Sequence, residues 1–213
     1  MLWYCTGGGS GGSIWIQCEV IVGHGTITAN GGNSGGPTGA AGGGGAGGRV
    51  SVQCDNIKKF NITMKAYGGV SNSETGGAGT SYLESKHSNG SLSYQKMLID
   101  NNGHDYPHAS NYAEGELRSL VEGGRDYAGG VTWLYHEELT YRFQQFDVRG
   151  NAHVAILSDT NTQSIDVRID FLWGDRSGVL HAAKNQTFGL TEVDVYLPAN
   201  LVAYRYAFKI AYW

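Results

Sequence analysis

The chain has 213 residues, with 34 glycines and only 16% charged residues, a balance that fits neither a helical domain nor a charge-rich disordered segment. Lys+Arg 15 against Asp+Glu 19 gives a net charge of -4, so no overall positive field draws it to phosphate backbones or anionic lipid, and nucleic acid is not an expected partner. No apolar run approaches the roughly 20 residues a bilayer-spanning helix needs, so no membrane span is expected.

From the first residues onward, Met1-Leu2-Trp3-Tyr4-Cys5 runs into glycine without a basic or apolar leader, and any export signal is expected outside this stretch. Gly12-Ser13-Ile14-Trp15-Ile16-Gln17-Cys18 then returns as Gly48-Arg49-Val50-Ser51-Val52-Gln53-Cys54, a spacing of 36 residues. Ile27-Thr28-Ala29-Asn30-Gly31-Gly32 is echoed by Met64-Lys65-Ala66-Tyr67-Gly68-Gly69 at a spacing of 37, so the second copy holds one inserted residue. A third copy begins at Gly79 and sets Ser85 in line with Cys18 and Cys54. Alternation with period two marks strands. Stacking the copies puts Ile14 on Val50 and Ile16 on Val52, which is a parallel solenoid in which each turn buries its neighbour's apolar edge.

Residues 30–48 contain almost only Gly, Ala, Ser, Thr and Asn with one proline, and are expected to form a flexible excursion, because glycine buries too little apolar area to offset its ordering entropy, while packing of such loops along one edge into a surface for a partner is the alternative. The run Tyr94-Gln95-Lys96-Met97-Leu98-Ile99 predicts a strand that ends at the turn Asn101-Asn102-Gly103. A polar insertion follows at about 104–130, with one short helix expected over 113–121. Strand patterning returns from Val131, in Phe146, Val148, Ala152, Val154 and Ile156, then in Ile165, Val167, Ile169 and Phe171, and later in Val193, Val195 and Leu197. These are the later coils, 131–213, and the last strand carries no polar cap. Either the chain continues in a longer protein or its ends meet other copies or neighbouring modules.

The strings GGSIWI, GHGTITANGG and GGRVSV, with Asp147-Val148-Arg149-Gly150-Asn151-Ala152-His153 and Trp173-Gly174-Asp175-Arg176-Ser177-Gly178 further on, resemble the glycine-rich right-handed parallel β-helix segments of the pectin-lyase-like class. Such segments occur in large secreted or surface-anchored proteins. The resemblance spans most of the chain and implies an all-β fold, one right-handed parallel β-helix (solenoid) module over 1–213 with a glycine-rich loop and a polar insertion. The class hosts lyases, hydrolases, adhesins and inert fibres, so it is specific for fold and not for activity.

Cys18 and Cys54 would stack on adjacent coils with Cα atoms about 5 Å apart, close enough for a disulfide, while two buried free thiols are the alternative. Cys5 is then the odd one. Asn61, Asn89 and Asn185 each open a glycosylation sequon, and with the low lysine content they place the chain outside the cell or on its surface. Asp100, Asn102 and Asp105 surround a glycine as oxygen ligands of calcium do, and a solvated turn is the commoner use of such a cluster. No other cofactor is expected. Asp170 and Asp175, beside Arg168 and Arg176, would suit a polysaccharide lyase or hydrolase if they converged on one face. Trp133, Tyr135, His136 and Trp173 are the candidate platform and polar contacts for a sugar. The first expectation is a non-enzymatic extracellular structural or adhesive module of a surface, matrix or fibre-forming protein. The second is a carbohydrate-binding or polysaccharide-degrading β-helix.

Overall fold

The computed structural model describes residues 6–37, 41–87, 89–104, 130–135, 140–157, 165–182, 186–193, 200–203 and 209–212. These are all-β, with no helix among the described residues. The helix expected over 113–121 lies outside them. In chain order the strands are β1 (Ser13–Thr28), β2 (Arg49–Lys65), β3 (Thr80–Lys86), β4 (Leu92–Asp100), β5 (Val131–Tyr135), β6 (Thr140–Arg149), β7 (His153–Leu157), β8 (Ile165–Gly174), β9 (Val179–Ala182), β10 (Gln186–Val193), β11 (Asn200–Ala203) and β12 (Lys209–Tyr212). They form an eight-stranded sheet in the order β1-β2-β3-β4-β6-β8-β10-β12 and a four-stranded sheet in the order β11-β9-β7-β5.

The repeat sets the register of the first part. Ile14 pairs with Val50, Ile16 with Val52, Cys18 with Cys54, and Cys54 in turn with Ser85, all in parallel. The inserted residue of the second copy is absorbed as a register shift between Ile21 and Gly23, where Gly23 takes φ +114, a conformation that L side chains rarely adopt. A straight strand of 16 residues would span about 53 Å. Instead β1 doubles back, since the Gly48 amide donates to Ala29 O and the Arg49 amide to Gly12 O, which puts the two ends of β1 side by side. β2 repeats this, with Gly79 donating to Ala66 and Thr80 to Gly48. The two legs of each arch enclose Ile14, Ile16, Ile27, Val50, Val52 and Met64. One copy departs from the expected all-parallel stack: β3 and β4 are antiparallel. Asn89-Gly90 sits in the turn between them, with Gly90 at φ +80, and an Asn-Gly pair is a strong hairpin signal.

The glycine-rich segments are not a loose excursion. Residues 7–12, 41–48 and 75–79 lie side by side as one layer, through Gly8 to Gly43, Gly11 to Ala46, Gly44 to Glu74 and Gly47 to Gly77. Residues 29–34 and 66–70 form a second layer, through Gly31 to Tyr67 and Ser34 to Val70. A relay joins the layers, in which Gly76 donates to Gly69 O at 2.9 Å, Gly69 to Gly45 O at 2.8 Å, Gly45 to Gly32 O at 2.9 Å and Gly32 to Gly9 O at 2.8 Å. The physical reason is close approach. A Cβ on Gly45 would stand 1.9 Å from Gly9 O, so only glycine lets these backbones come near enough to bond. Backbone hydrogen bonds between segments supply what apolar side chains supply elsewhere.

Beyond β4 the sheet changes its buried side. Tyr82, on the outer face with Trp15 and Ser51, is directly opposite Met97, which packs into the second core. That core lies between the two sheets and holds Ile99, Phe146, Val148, Val167 and Ile169 from the large sheet with Val154 and Leu180 from the small one. From β5 onward the chain alternates between the sheets, and β5-β7-β9-β11 and β6-β8-β10-β12 pair in parallel. The expected run Ile165-Val167-Ile169-Phe171 is broken, because Phe171 is exposed and Leu172 is buried instead. Phe143 and Phe146 show the same change of phase on β6, so both strands turn a corner there together. Asn101, almost wholly buried, ties the halves: its side chain accepts from the Gly68 amide at 2.8 Å and donates to Gly76 O at 3.3 Å.

Candidate functional site

The outer face of β1, β2 and β3 presents three rows of side chains, because residues directly opposite across a sheet share a face. The first row is Trp15, Ser51 and Tyr82, and the second is Gln17, Gln53 and Glu84. Glu19, Asp55 and Lys86 follow one step further along. Trp15 is 71% exposed, and its indole N–H donates to Gln53 Oε1 at 3.3 Å, which holds the ring across the row. Gln53 also lines a groove of about 370 Å³, together with Gln17, Glu19, Asp55, Glu84, Lys86 and the Cys18 and Cys54 pair.

Charge in the groove is unevenly matched. Lys86 Nζ reaches Glu84 at 3.4 Å, while Glu19 and Asp55 sit on neighbouring strands, an arrangement that disfavours like charges. Tyr82 donates to Glu84 Oε2 and accepts from Gln95 Nε2 at 2.9 Å. Burial first, and then the bond to Glu84, push its phenol up from 10.0 to about 12. The protonated phenol is thus favoured by folding. Its contribution to stability is present in full below pH 10.0 and lost as pH rises through about 12. Urea midpoints taken across that window should fall more steeply for the native chain than for Tyr82→Phe.

The sequence candidates fall at scattered places. Cys18 and Cys54 are joined in a disulfide with Cα atoms 4.6 Å apart, on adjacent strands in register. Asp100 accepts from the Asn102 amide at 2.7 Å, with Asn102 at φ +56, so these two form a tight turn, and Asp105 lies outside the described residues. No group of three or more His, Cys, Asp or Glu side chains with metal-binding spacing occurs among the described residues. Asp170 is within β8, whereas Asp175 and Arg176 are in the turn beyond its end. The Asp175 carboxylate accepts from the Gly150 amide at 2.9 Å and the Ser177 amide at 3.0 Å. Partial burial would raise its pKa, yet these bonds and that of the Ser177 hydroxyl outweigh it and hold the carboxyl below its usual range. It is a fastener between neighbouring turns.

Trp133 and Trp173 do not converge. Leu134 and Leu172 pack into the core between the sheets, so the adjacent tryptophans project from opposite outer faces. Trp173 is 53% exposed and lies opposite Asp147, whose fully buried carboxylate is held by Arg149 and, at 3.2 Å, by Lys96. The Tyr135 side chain, His136 and Asn185 lie outside the described residues. Asn61, within β2, and Asn89, in the turn between β3 and β4, are both exposed. Sequence reasoning missed the outward Trp15, although the signal was present: a Trp between Ile14 and Ile16 in an alternating strand faces outward. No family model, curated protein or solved structure matches the chain.

Proposed function

We propose that this chain is a non-enzymatic extracellular structural or adhesive module of a surface, matrix or fibre-forming protein. The observation that carries this reading is the glycine lattice, a hydrogen-bonded base from which β1, β2 and the β3–β4 hairpin project side by side. Such a base positions strand tips without a large apolar core. We further read the alternating parallel strands from β5 onward as coils of a right-handed parallel β-helix, since parallel crossovers within a sheet are right-handed in about 98% of cases. The pectin-lyase-like resemblance supports the same reading. The disulfide and the exposed sequon asparagines favour a location outside the cell.

A second reading is favoured by one observation, the exposed Trp15 bonded to Gln53 of a groove of amides and carboxylates, which suits stacking on a sugar ring with hydroxyls donating to Glu19 and Asp55. Incubating the chain with neutral and uronate polysaccharides, while following both bond cleavage and Trp fluorescence, tests both readings. No cleavage is expected. Cleavage that disappears in Asp170→Asn would overturn the non-enzymatic reading, and a fluorescence change lost in Trp15→Ala but kept in Trp173→Ala would establish the groove as a sugar site.

A further inference from the structure

We propose that Asn89 is a self-modifying site, at which the turn between β3 and β4 converts its own asparagine to aspartate and isoaspartate through a succinimide. The chemistry needs a side-chain amide carbon, a following backbone nitrogen that can reach it, and donors for the oxygen on which charge develops. The chain has three Asn-Gly pairs, at Asn30, Asn89 and Asn102, in which no Cβ on the following residue hinders that approach. The fold treats them differently.

At Asn30 the side-chain oxygen accepts from the Tyr67 amide at 2.9 Å, and the Gly31 amide donates to Tyr67 O at 2.8 Å. A Cβ on Gly31 would lie 2.0 Å from Gly45 O, so this nitrogen is packed within the glycine lattice and cannot swing towards Asn30. The Gly103 amide is bonded to Gly150 O at 3.0 Å, in the turn after β6. Both nitrogens are thus tied to another segment of the chain. The Gly90 amide instead donates to His87 O at 2.8 Å, inside its own turn, and no described atom lies within 4 Å of where a Cβ on Gly90 would stand.

Asn89 is also prepared electrostatically. Its Oδ1 accepts from the Ser91 amide at 3.0 Å and from the Ser91 hydroxyl at 2.7 Å. A backbone amide only donates, which fixes this atom as the oxygen, and the bonds fold the side-chain carbonyl back over the Asn89–Gly90 peptide as an Asx turn. When Gly90 N, having lost its proton to hydroxide, attacks Cγ, negative charge forms on that same oxygen, and the two Ser91 donors stabilise it as an oxyanion hole does. The Cγ–Nδ2 bond then breaks, Nδ2 leaves as ammonia with a proton from water, and a second water opens the ring at either carbonyl. Aspartate adds a negative charge to the hairpin that carries Lys86 and His87, while isoaspartate routes the main chain through Cβ and lengthens the turn. Either product has lost Nδ2, and with it the glycan acceptor of the Asn89 sequon.

Peptide mapping by mass spectrometry tests this on the chain purified without glycans and held in mildly alkaline buffer, with and without urea. The ratio of folded to urea rate removes the effect of neighbouring sequence. That ratio should be about tenfold or more higher at Asn89 than at Asn30 and Asn102, whose following nitrogens must first break bonds to another segment. An isoaspartyl methyltransferase should label the Asn89 peptide. Ser91 is exposed, so Ser91→Ala should leave circular dichroism unchanged while it slows Asn89 by about fivefold, the worth of one exposed hydrogen bond. Equal ratios at the three pairs, no conversion at Asn89, or a Ser91→Ala chain that converts at the native rate would overturn the proposal.

Discussion

Replacing Gly45 by alanine is expected to abolish cooperative folding of the first half of the molecule. The added methyl would sit 1.9 Å from Gly9 O and 2.4 Å from Gly9 C, both backbone atoms that belong to a hydrogen-bonded layer and cannot rotate away. Relief requires prising the layers apart, which breaks the bonds from Gly45 to Gly32 and from Gly69 to Gly45 and leaves buried amides unpaired. A loss above about 4 kcal/mol follows, at the extreme of what single substitutions do. Gly9→Ala has the opposite expectation, because no described atom lies within 4 Å of where its Cβ would stand and alanine restricts the unfolded chain, so stability should hold or rise by a few tenths of a kcal/mol. Urea denaturation of the two variants measures the contrast. In a flexible glycine linker the two would behave alike.

Removal of the disulfide, as Cys18→Ser with Cys54→Ser, should lower stability by about 4 kcal/mol, the chain-entropy value for a loop closed at a separation of 36 residues. The bond closes a loop that contains the second leg of β1 and two glycine segments, residues 29–34 and 41–48, which carry little apolar surface of their own. Its effect should therefore concentrate in the first half. The core that contains Phe146, Val148 and Ile169 lies on the other side of the sheet and shares no side chain with the arches. Thermal unfolding with and without reductant, followed by Trp fluorescence, checks the size of the loss.

What was legible in the sequence, and what was not, divides along physical lines. The Gln-Cys echo set the register of β1 on β2 residue for residue, and the single inserted residue in the second copy anticipated the bulge near Gly23. Those features are local and periodic. For the glycine segments composition leaves both a loose excursion and edge packing open, because it cannot separate a linker from a lattice: the same absence of Cβ that frees a lone chain lets several segments close on one another. The Asn89-Gly90 hairpin was passed over in favour of its sequon, and the antiparallel β3–β4 pair went with it. On β8 a strict period of two put Phe171 inside, whereas the corner shared with β6 sends Leu172 inward. Corners are set by the neighbouring strand, which the strand's own pattern does not contain.

Among the candidate sites, residue types were readable but convergence was not. Asp170, Asp175, Trp133 and Trp173 have the chemistry of a sugar site, yet two sheet faces and a turn separate them. Trp15, Gln53, Glu84 and Tyr82 come together only because three copies stack in register. A search that wrote the repeats beneath one another and read the outward columns would have found them.

Amide hydrogen exchange through residues 29–34, 41–48 and 66–70 tests the central claim most directly. A bonded lattice predicts that the amides of Gly32, Gly45 and Gly69 exchange as slowly as those of Val50 and Val52 in the neighbouring strand. Exchange of these glycines at the rate of an unfolded chain, while Val50 and Val52 remain protected, would contradict it.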